Sequence, residues 1–319
     1  MNLVITGGSG FIGSNFIDYW ISKHPNDTVI NIDKLTYASN RWFNRHVESS
    51  PNYTFREIDI SNQAALEKAI PEADCVVNFA AESHVDRSIK DAREFIQSNI
   101  IGVFNLLELA RKKNFRFHQV STDEVYGTLG PNKKEQFTEM SPYNPRNPYS
   151  ATKASADLLV RSYVNTYGIR ATISNCGNNF GPHQHPEKLV PKVILSALSG
   201  MNIPIYGDGS QIRDWVFVED HCSAIDSILS KGRIGETYLI GTENEVRNLD
   251  IVKMILDILH KDYDLIKSVP DRPGHDVRYS LSPHKIKKEL EWSPGHTLSG
   301  ALLKTVEHYN RYVEKYLKF

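Results

Sequence analysis

A chain of 319 residues, 40% hydrophobic and 24% charged, has the make-up of a globular protein with room for about two domains of ~150 residues each. A formal net charge of −1 carries no whole-chain signature of a nucleic-acid or membrane-surface binder. The three cysteines, Cys75, Cys176 and Cys222, are scattered and odd in number, which argues against a disulfide framework and a zinc site. No stretch approaches the ~18 apolar residues of a membrane span, and the start, "MNLVITGGSGFIG", has no basic leader, so a cytoplasmic protein is expected.

Short runs rich in Val, Ile and Phe, bounded by polar or turn residues, predict strands at 2–6, 28–33, 53–59, 75–80, 115–121 and 169–175. Helices are expected between them, near 11–23, 62–70, 92–113 and 149–166. Strand–helix alternation with right-handed crossovers gives a doubly wound parallel α/β sheet of the Rossmann type. After about residue 180 the pattern changes. "HPEKLVPKVILSALSG" reads as a helix ended by Gly200, and "LDIVKMILDILHK" as another. These observations divide the chain into a cofactor domain, 1–180, and a smaller α/β substrate domain, 181–319, with segments near 210–240 free to return to the sheet.

Gly7, Gly10 and Gly13 follow the first strand and open the first helix. In that place glycines serve a tight turn, a close backbone approach to a pyrophosphate, and close helix–strand packing. Asp33, 20 residues past Gly13 at the end of the second strand, suits adenosine ribose hydroxyls and repels a 2′-phosphate, which favours NAD over NADP. Asp59 ends the third strand, and the small Ala80 and Ala81 follow the fourth, where a cofactor can lie against the strand ends. Tyr149 and Lys153, in "YSATK", share a helix face, and the ammonium is expected to lower the phenol's pKa. In "STDEVYG", Asp123 and Glu124 stand side by side just past a strand. Ser121 to Glu124 fits a helix capping box. But Gly127, Gly130 and Pro131 follow at once and no apolar helical run begins, so a proton-transfer pair on bent, non-helical backbone is the favoured reading. Close carboxylates push their pKa values apart, leaving one protonated and one ionised.

The glycine triplet, Ser121 and Tyr149-x-x-x-Lys153 resemble the extended short-chain dehydrogenase/reductases that act on nucleotide sugars. The blocks "DKLTYA", "AAESHVDRSI", "STDEVYG", "NPYSATKA", "NNFGPHQHPEKLVP", "PIYGDGSQIRDWVFVEDH" and "DRPGHDVRY" are similar to the branch of that family that dehydrates a hexose across C5 and C6. The resemblance implies that Tyr149, helped by Lys153, deprotonates the C4 hydroxyl as hydride leaves for NAD, that Glu124 takes the C5 proton, and that Asp123 protonates the departing C6 hydroxyl. Thr122 is then expected near the C4 oxygen, and NAD stays bound and is regenerated each turnover. It further implies cofactor contacts from Phe11, Ile12, Lys34, Leu35, Thr36, Ile60, Ser83, Asn99 and Asn179, beside those already named. The nucleotide-diphosphate hexose falls to Ser83, Asn178, Lys188, Leu189, Pro204, Ile205, Tyr206, Arg213, Asn248, Arg272 and His275. "HPEKLVP" implies a dTDP-linked glucose, with UDP- or CDP-glucose as alternatives. An epimerase or decarboxylase on the same scaffold needs Tyr149 and Lys153 but not both acids, and a non-catalytic NAD sensor needs neither of the first pair. A homodimer through the helices 92–113 and 149–166 is also implied. No metal is expected: His183 and His185 in "HQH" lack an evident third ligand. The aromatic, basic segment 40–50 is expected to pack over the adenine side of the cofactor.

Overall fold

A computed structural model describes residues 1–70, 72–130, 135–271 and 275–317. Six parallel strands form the centre of the molecule: β1 (Asn2–Thr6), β2 (Thr28–Asp33), β3 (Tyr53–Glu57), β4 (Cys75–Asn78), β5 (Arg116–Thr122) and β6 (Ala171–Cys176). A seventh, Thr237–Ile240, pairs parallel with β6, so the order is Thr237–Ile240, β6, β5, β4, β1, β2, β3. The chain leaves β1 towards β2 and β3 and comes back to the other side of β1 at β4. That reversal opens a crevice beyond the carboxyl ends of β1 and β4, where open α/β sheets bind ligands.

Strands β1, β4 and β6 are buried along nearly their whole length because helices cover both faces of the sheet. The helix Pro148–Tyr167 is set by its ends: Asn147 caps it reciprocally with Ser150, Pro148 is its first residue, and Gly168 leaves in the left-handed conformation at φ 65°. The expected helix 92–113 is interrupted. Arg93–Ile96 passes into a π-turn at Gln97–Ile101 before α-helix resumes over Gly102–Lys113. A short helix, Val85–Lys90, stands where none was expected.

The segment 210–240 splits between two sheets. Ile212–Phe217 lies in a three-stranded sheet between Asn178–Phe180 and Glu245–Arg247, whereas the helix Val218–Lys231 packs on the helix Phe11–Lys23 and leads to the seventh central strand. One apolar cluster joins the two regions, from Leu3 and Phe16 through Phe180 and Phe217 to Ile255 and Tyr309.

The 40–50 segment packs elsewhere than expected. Phe43 stacks on His183 at 4.4 Å, Trp42 meets Tyr312 edge-on at 5.1 Å, and Lys315 lies 3.9 Å over the Trp42 ring. The C-terminal turn thus clamps this segment against the loop that carries His183, whose Nδ1 is 3.0 Å from Ser14 Oγ.

Candidate active site

The crevice is continuous from the end of β3, across β1 and β4, to a cleft of about 700 Å³ under Ile203–Tyr206 and Ile212–Phe217. Its first part is lined by Gly7, Gly10, Asp33, Lys34, Thr36, Asp59, Ile60, Ala80 and Ala81. Gly7 adopts φ +73°, and a Cβ there would lie 2.5 Å from the Ala80 nitrogen; one on Gly13 would lie 2.3 Å from the Gly7 carbonyl oxygen. Both clashes are with backbone, so the turn closes only without side chains. Asp33 accepts from the backbone N–H of Ser9 at 3.0 Å and of Leu35 at 2.8 Å, although burial pushes its carboxyl above the ordinary range. Burial works the same way on Asp59, but the Ser61 N–H and Lys34, 3.3 Å away, outweigh it and hold that carboxyl low. A glycine cradle closed by backbone, with a carboxylate at the end of β2, fits NAD.

The middle part holds Phe11, Ile12, Gly13, Ser83, Tyr149 and Lys153. Three expected cofactor residues lie off the lining. Leu35, at φ 55°, offers its N–H to Asp33. Asn99 is buried in the π-turn, where it grips the backbone of Glu82 through both amide atoms and donates to Thr152 Oγ1 at 2.9 Å. The Asn179 amide turns inward to His221 Nδ1 and Cys176 Sγ.

At the end of β5 the chain makes a single 3-10 turn, Asp123–Tyr126, instead of the expected non-helical bend. Thr122 caps it, accepting from the Glu124 N–H at 3.3 Å, so neither acid is used as the cap. Asp123 is 2% exposed. Its Oδ1 accepts from Thr122 Oγ1 at 3.2 Å, and its Oδ2 has no hydrogen-bond partner among the described residues. Burial first, and then the neighbouring Glu124, push its carboxyl well above the usual range. Glu124 lines the large cleft, and its Oε2 accepts from Asn147 Nδ2 at 3.2 Å.

Tyr149 departs from expectation. Burial, then the Glu124 charge, hold its phenol above its ordinary value, against a hydrogen bond with Thr122. Lys153 donates to the Val120 carbonyl at 2.8 Å, and burial pushes its own pKa down to about 8. Sequence spacing reports which groups share a helix face but not how dry that face is, and dryness dominates here.

The cleft gathers Asn178, Lys188, Leu189, Pro204, Ile205, Tyr206, Arg213, Asn248 and His275. Lys188 Nζ reaches the Ser83 carbonyl at 3.1 Å. The Arg213 guanidinium lies 4.4 Å over the Tyr279 ring and donates to the carbonyls of Ile212 and Asp276. Asn248 begins a helix without capping it. Arg272 lies outside the described residues. The cleft also holds His84, Arg87, Lys90 and Lys192, which sequence reasoning did not single out. The first three recur every third residue in "HVDRSIK", a cationic helical face that was there to be read.

A doubly wound sheet with a glycine turn, joined through a buried tyrosine–lysine pair to an acid-lined cleft, defines a nucleotide-dependent enzyme of the short-chain dehydrogenase/reductase class. The family described as GDP-mannose 4,6 dehydratase matches residues 4–305. The dTDP-glucose 4,6-dehydratase of Neisseria meningitidis serogroup B is 48% identical over 330 residues, which cover 96% of this chain and 92% of that protein. A crystal structure of dTDP-glucose 4,6-dehydratase from Streptomyces venezuelae, with NAD and a second ligand bound, matches with a TM-score of 0.96 at 42% identity over 99% of each chain. UDP-glucose 4-epimerase of Thermotoga maritima shares the fold at a TM-score of 0.90 and 28% identity, over 98% of this chain and 100% of that one. The chain belongs to the GDP-mannose 4,6-dehydratase family and, within it, stands with the dTDP-glucose 4,6-dehydratases.

Proposed function

We propose that this chain dehydrates dTDP-glucose to dTDP-4-keto-6-deoxyglucose with NAD as a retained cofactor. When bound, NAD accepts a hydride from C4 of the hexose and later returns it to C6. Tyr149, with Lys153 beside the same pocket and Thr122 holding the phenol in place, is the group set to take the C4 hydroxyl proton; burial keeps the phenol protonated without cofactor, so this role requires the positive charge that bound NAD would add. Oxidation at C4 makes C5–H acidic. Glu124 takes that proton, the C6–O bond breaks, and Asp123 gives its proton to the leaving hydroxide, so that water departs. The proton on Glu124 then goes back to C5 as C6 is reduced. The cationic groups of the cleft, Lys188 and Arg213 among them, serve the diphosphate, and the resemblance gives Arg272 the same role.

The observation that carries this reading is the unlike state of the two adjacent acids. Asp123 is buried, with one oxygen unpartnered among the described residues and its carboxyl pushed up, as a proton donor requires. Glu124 faces the cleft, as a base requires. A 4-epimerase has no use for that pair. Glu124→Gln tests it: NADH should still form on mixing with dTDP-glucose, while washout of deuterium from C5 into solvent stops. Washout at the wild-type rate removes Glu124 as the base. Parallel assays with UDP- and CDP-glucose test the nucleotide.

The reading extends to a cytoplasmic homodimer. Ile96, Ile101 and Phe104 on one helix and Leu158 on its neighbour are exposed, as a helical interface between two copies would need. Sedimentation at micromolar concentration decides between one copy and two.

A further inference from the structure

Asn147 has two jobs at once. Its Oδ1 accepts from the Ser150 N–H at 2.9 Å, and its own N–H donates to Ser150 Oγ at 3.2 Å, which closes the first turn of the helix Pro148–Tyr167. Because a backbone donor fixes which end of the amide is oxygen, the NH2 end must point the other way. It points at Glu124, with Nδ2 at 3.2 Å from Oε2. Tyr149 follows two residues later on the same helix.

We infer that Asn147 is a positioning residue for proton abstraction: it ties the Glu124 carboxylate to the first turn of the helix that carries Tyr149 and favours the ionised form of Glu124. The inference rests on the reading of Glu124 as the base. A hydrogen bond to a charged acceptor is among the stronger kinds, and it is made best to the carboxylate. The N-terminus of a 20-residue helix adds a partial positive charge at the same spot. Among the described residues, the charged or titratable groups acting on this corner include Asp123 on the same turn, Tyr149 on the capped helix, Arg213 on the strand Ile212–Phe217 and Tyr279 beyond it. Asp123 works against ionisation of Glu124 only once it has lost its own proton, Arg213 works for it, and Asn147 is the neutral group that adds a directional bond. A residue that only capped the helix would gain nothing from reaching Glu124.

Two substitutions keep the cap and change the tie, because Ser and Asp both cap helices. Asn147→Ser removes the donor. Asn147→Asp turns an oxygen to Glu124 in place of the NH2. The full-length holoenzyme is mixed with dTDP-glucose deuterated at C5, and NADH formation and deuterium washout are followed across pH. In Asn147→Ser, washout slows about tenfold relative to NADH formation. In Asn147→Asp, the acid limb of washout moves up by about one pH unit or more, since a second carboxylate disfavours ionisation of Glu124. In both, the thermal midpoint stays near wild type. Asn147→Ala, which loses cap and tie together, lowers the midpoint as well, and supplies the signature of a structural role. If washout, its pH limb and NADH formation keep their wild-type ratio in both cap-preserving variants, Asn147 is a helix cap only and the inference fails. Glu124→Gln is run alongside. If it washes out normally, the base assignment fails and takes the inference with it. If it is silent while the Asn147 variants behave as wild type, the inference alone is wrong.

Discussion

Replacing Lys153 by Met should make the cofactor-free protein more stable and the enzyme inactive. Lys153 is 4% exposed, and burial lowers its pKa from 10.5 to about 8. At ~1.4 kcal/mol per pKa unit, keeping that ammonium charged in the folded state costs about 3 kcal/mol near neutral pH. The folded pKa is depressed, so the cost is absent above the unfolded value of 10.5, develops as pH falls from there, and is complete below about 8. Met fills the space of the stem without the charge, and the gain is reduced by the Val120 carbonyl it leaves without its 2.8 Å donor, roughly 1 kcal/mol.

The decisive quantity is a difference between two pH values, because the orphaned carbonyl and any packing change cancel in it. Urea unfolding of wild type and Lys153→Met, with NAD stripped, at about pH 7 and about pH 9.5, should give a mutant advantage smaller by about 2 kcal/mol at the higher pH. Asp157, one turn on along the helix, is coupled to Lys153 and is itself pushed up by burial. Repeating the pair in an Asp157→Asn background removes its titration and should leave a pH-dependence at least as large. An advantage that does not change with pH would mean that Lys153 bears no desolvation penalty, and the account of the buried tyrosine–lysine pair would fall with it.

Asp123→Asn should keep the Thr122 contact and the fold, form NADH on dTDP-glucose, and lose water from C6 slower by about 10²–10⁴-fold, read as accumulation of absorbance at the reduced-nicotinamide band. Gly13→Ala drives a Cβ to 2.3 Å from the Gly7 carbonyl, and equilibrium titration should show NAD affinity down at least about tenfold with a lowered thermal midpoint. Arg278 is fully buried and forked onto Glu245 at 2.6 and 2.9 Å; Arg278→Ala should cost about 3–5 kcal/mol in urea unfolding, because it takes the guanidinium from a largely buried carboxylate that keeps the Ser280 hydroxyl.

The sheet was legible because strands covered on both faces favour apolar residues at consecutive positions, as Leu3–Ile5 in β1 and Cys75–Val77 in β4 show, although β6 interleaves Thr172, Ser174 and Asn175. The cofactor turn was legible because only glycine tolerates the approach of Gly7 to Ala80. Features set by distant partners were not. The residues that hold Trp42 and Phe43, namely His183, Tyr312, Tyr316 and Lys315, lie more than a hundred positions along the chain, so no local pattern announces them. The π-turn at Gln97–Ile101 is invisible to a 3.6-residue period, since one inserted residue barely disturbs the apolar rhythm while it brings Asn99 onto the Glu82 backbone. The helix Val85–Lys90 was missed because its one buried residue is Ser88, and a helix that lines a polar cleft has no apolar face to betray it.

The depth of Asp123 belongs to the same class of hidden fact, and it explains how neighbours in sequence come to differ in charge. In a 3-10 turn successive side chains diverge by about 120°. At the end of β5 that rotation sends one carboxyl back into the body of the protein and the next out over the cleft. In an extended strand adjacent side chains would also part, but they would alternate across the sheet into its two helical layers, and neither would face substrate. In an α-helix rotation alone would serve nearly as well, but the turn could not end so abruptly at Gly127, whose φ of 83° redirects the chain and whose tight fit against Asn144 excludes a side chain. The short turn is therefore the local structure that would separate the proposed proton donor, Asp123, from the proposed acceptor, Glu124, one peptide bond apart. Burial then sets the first, and the cleft with the Asn147 amide sets the second.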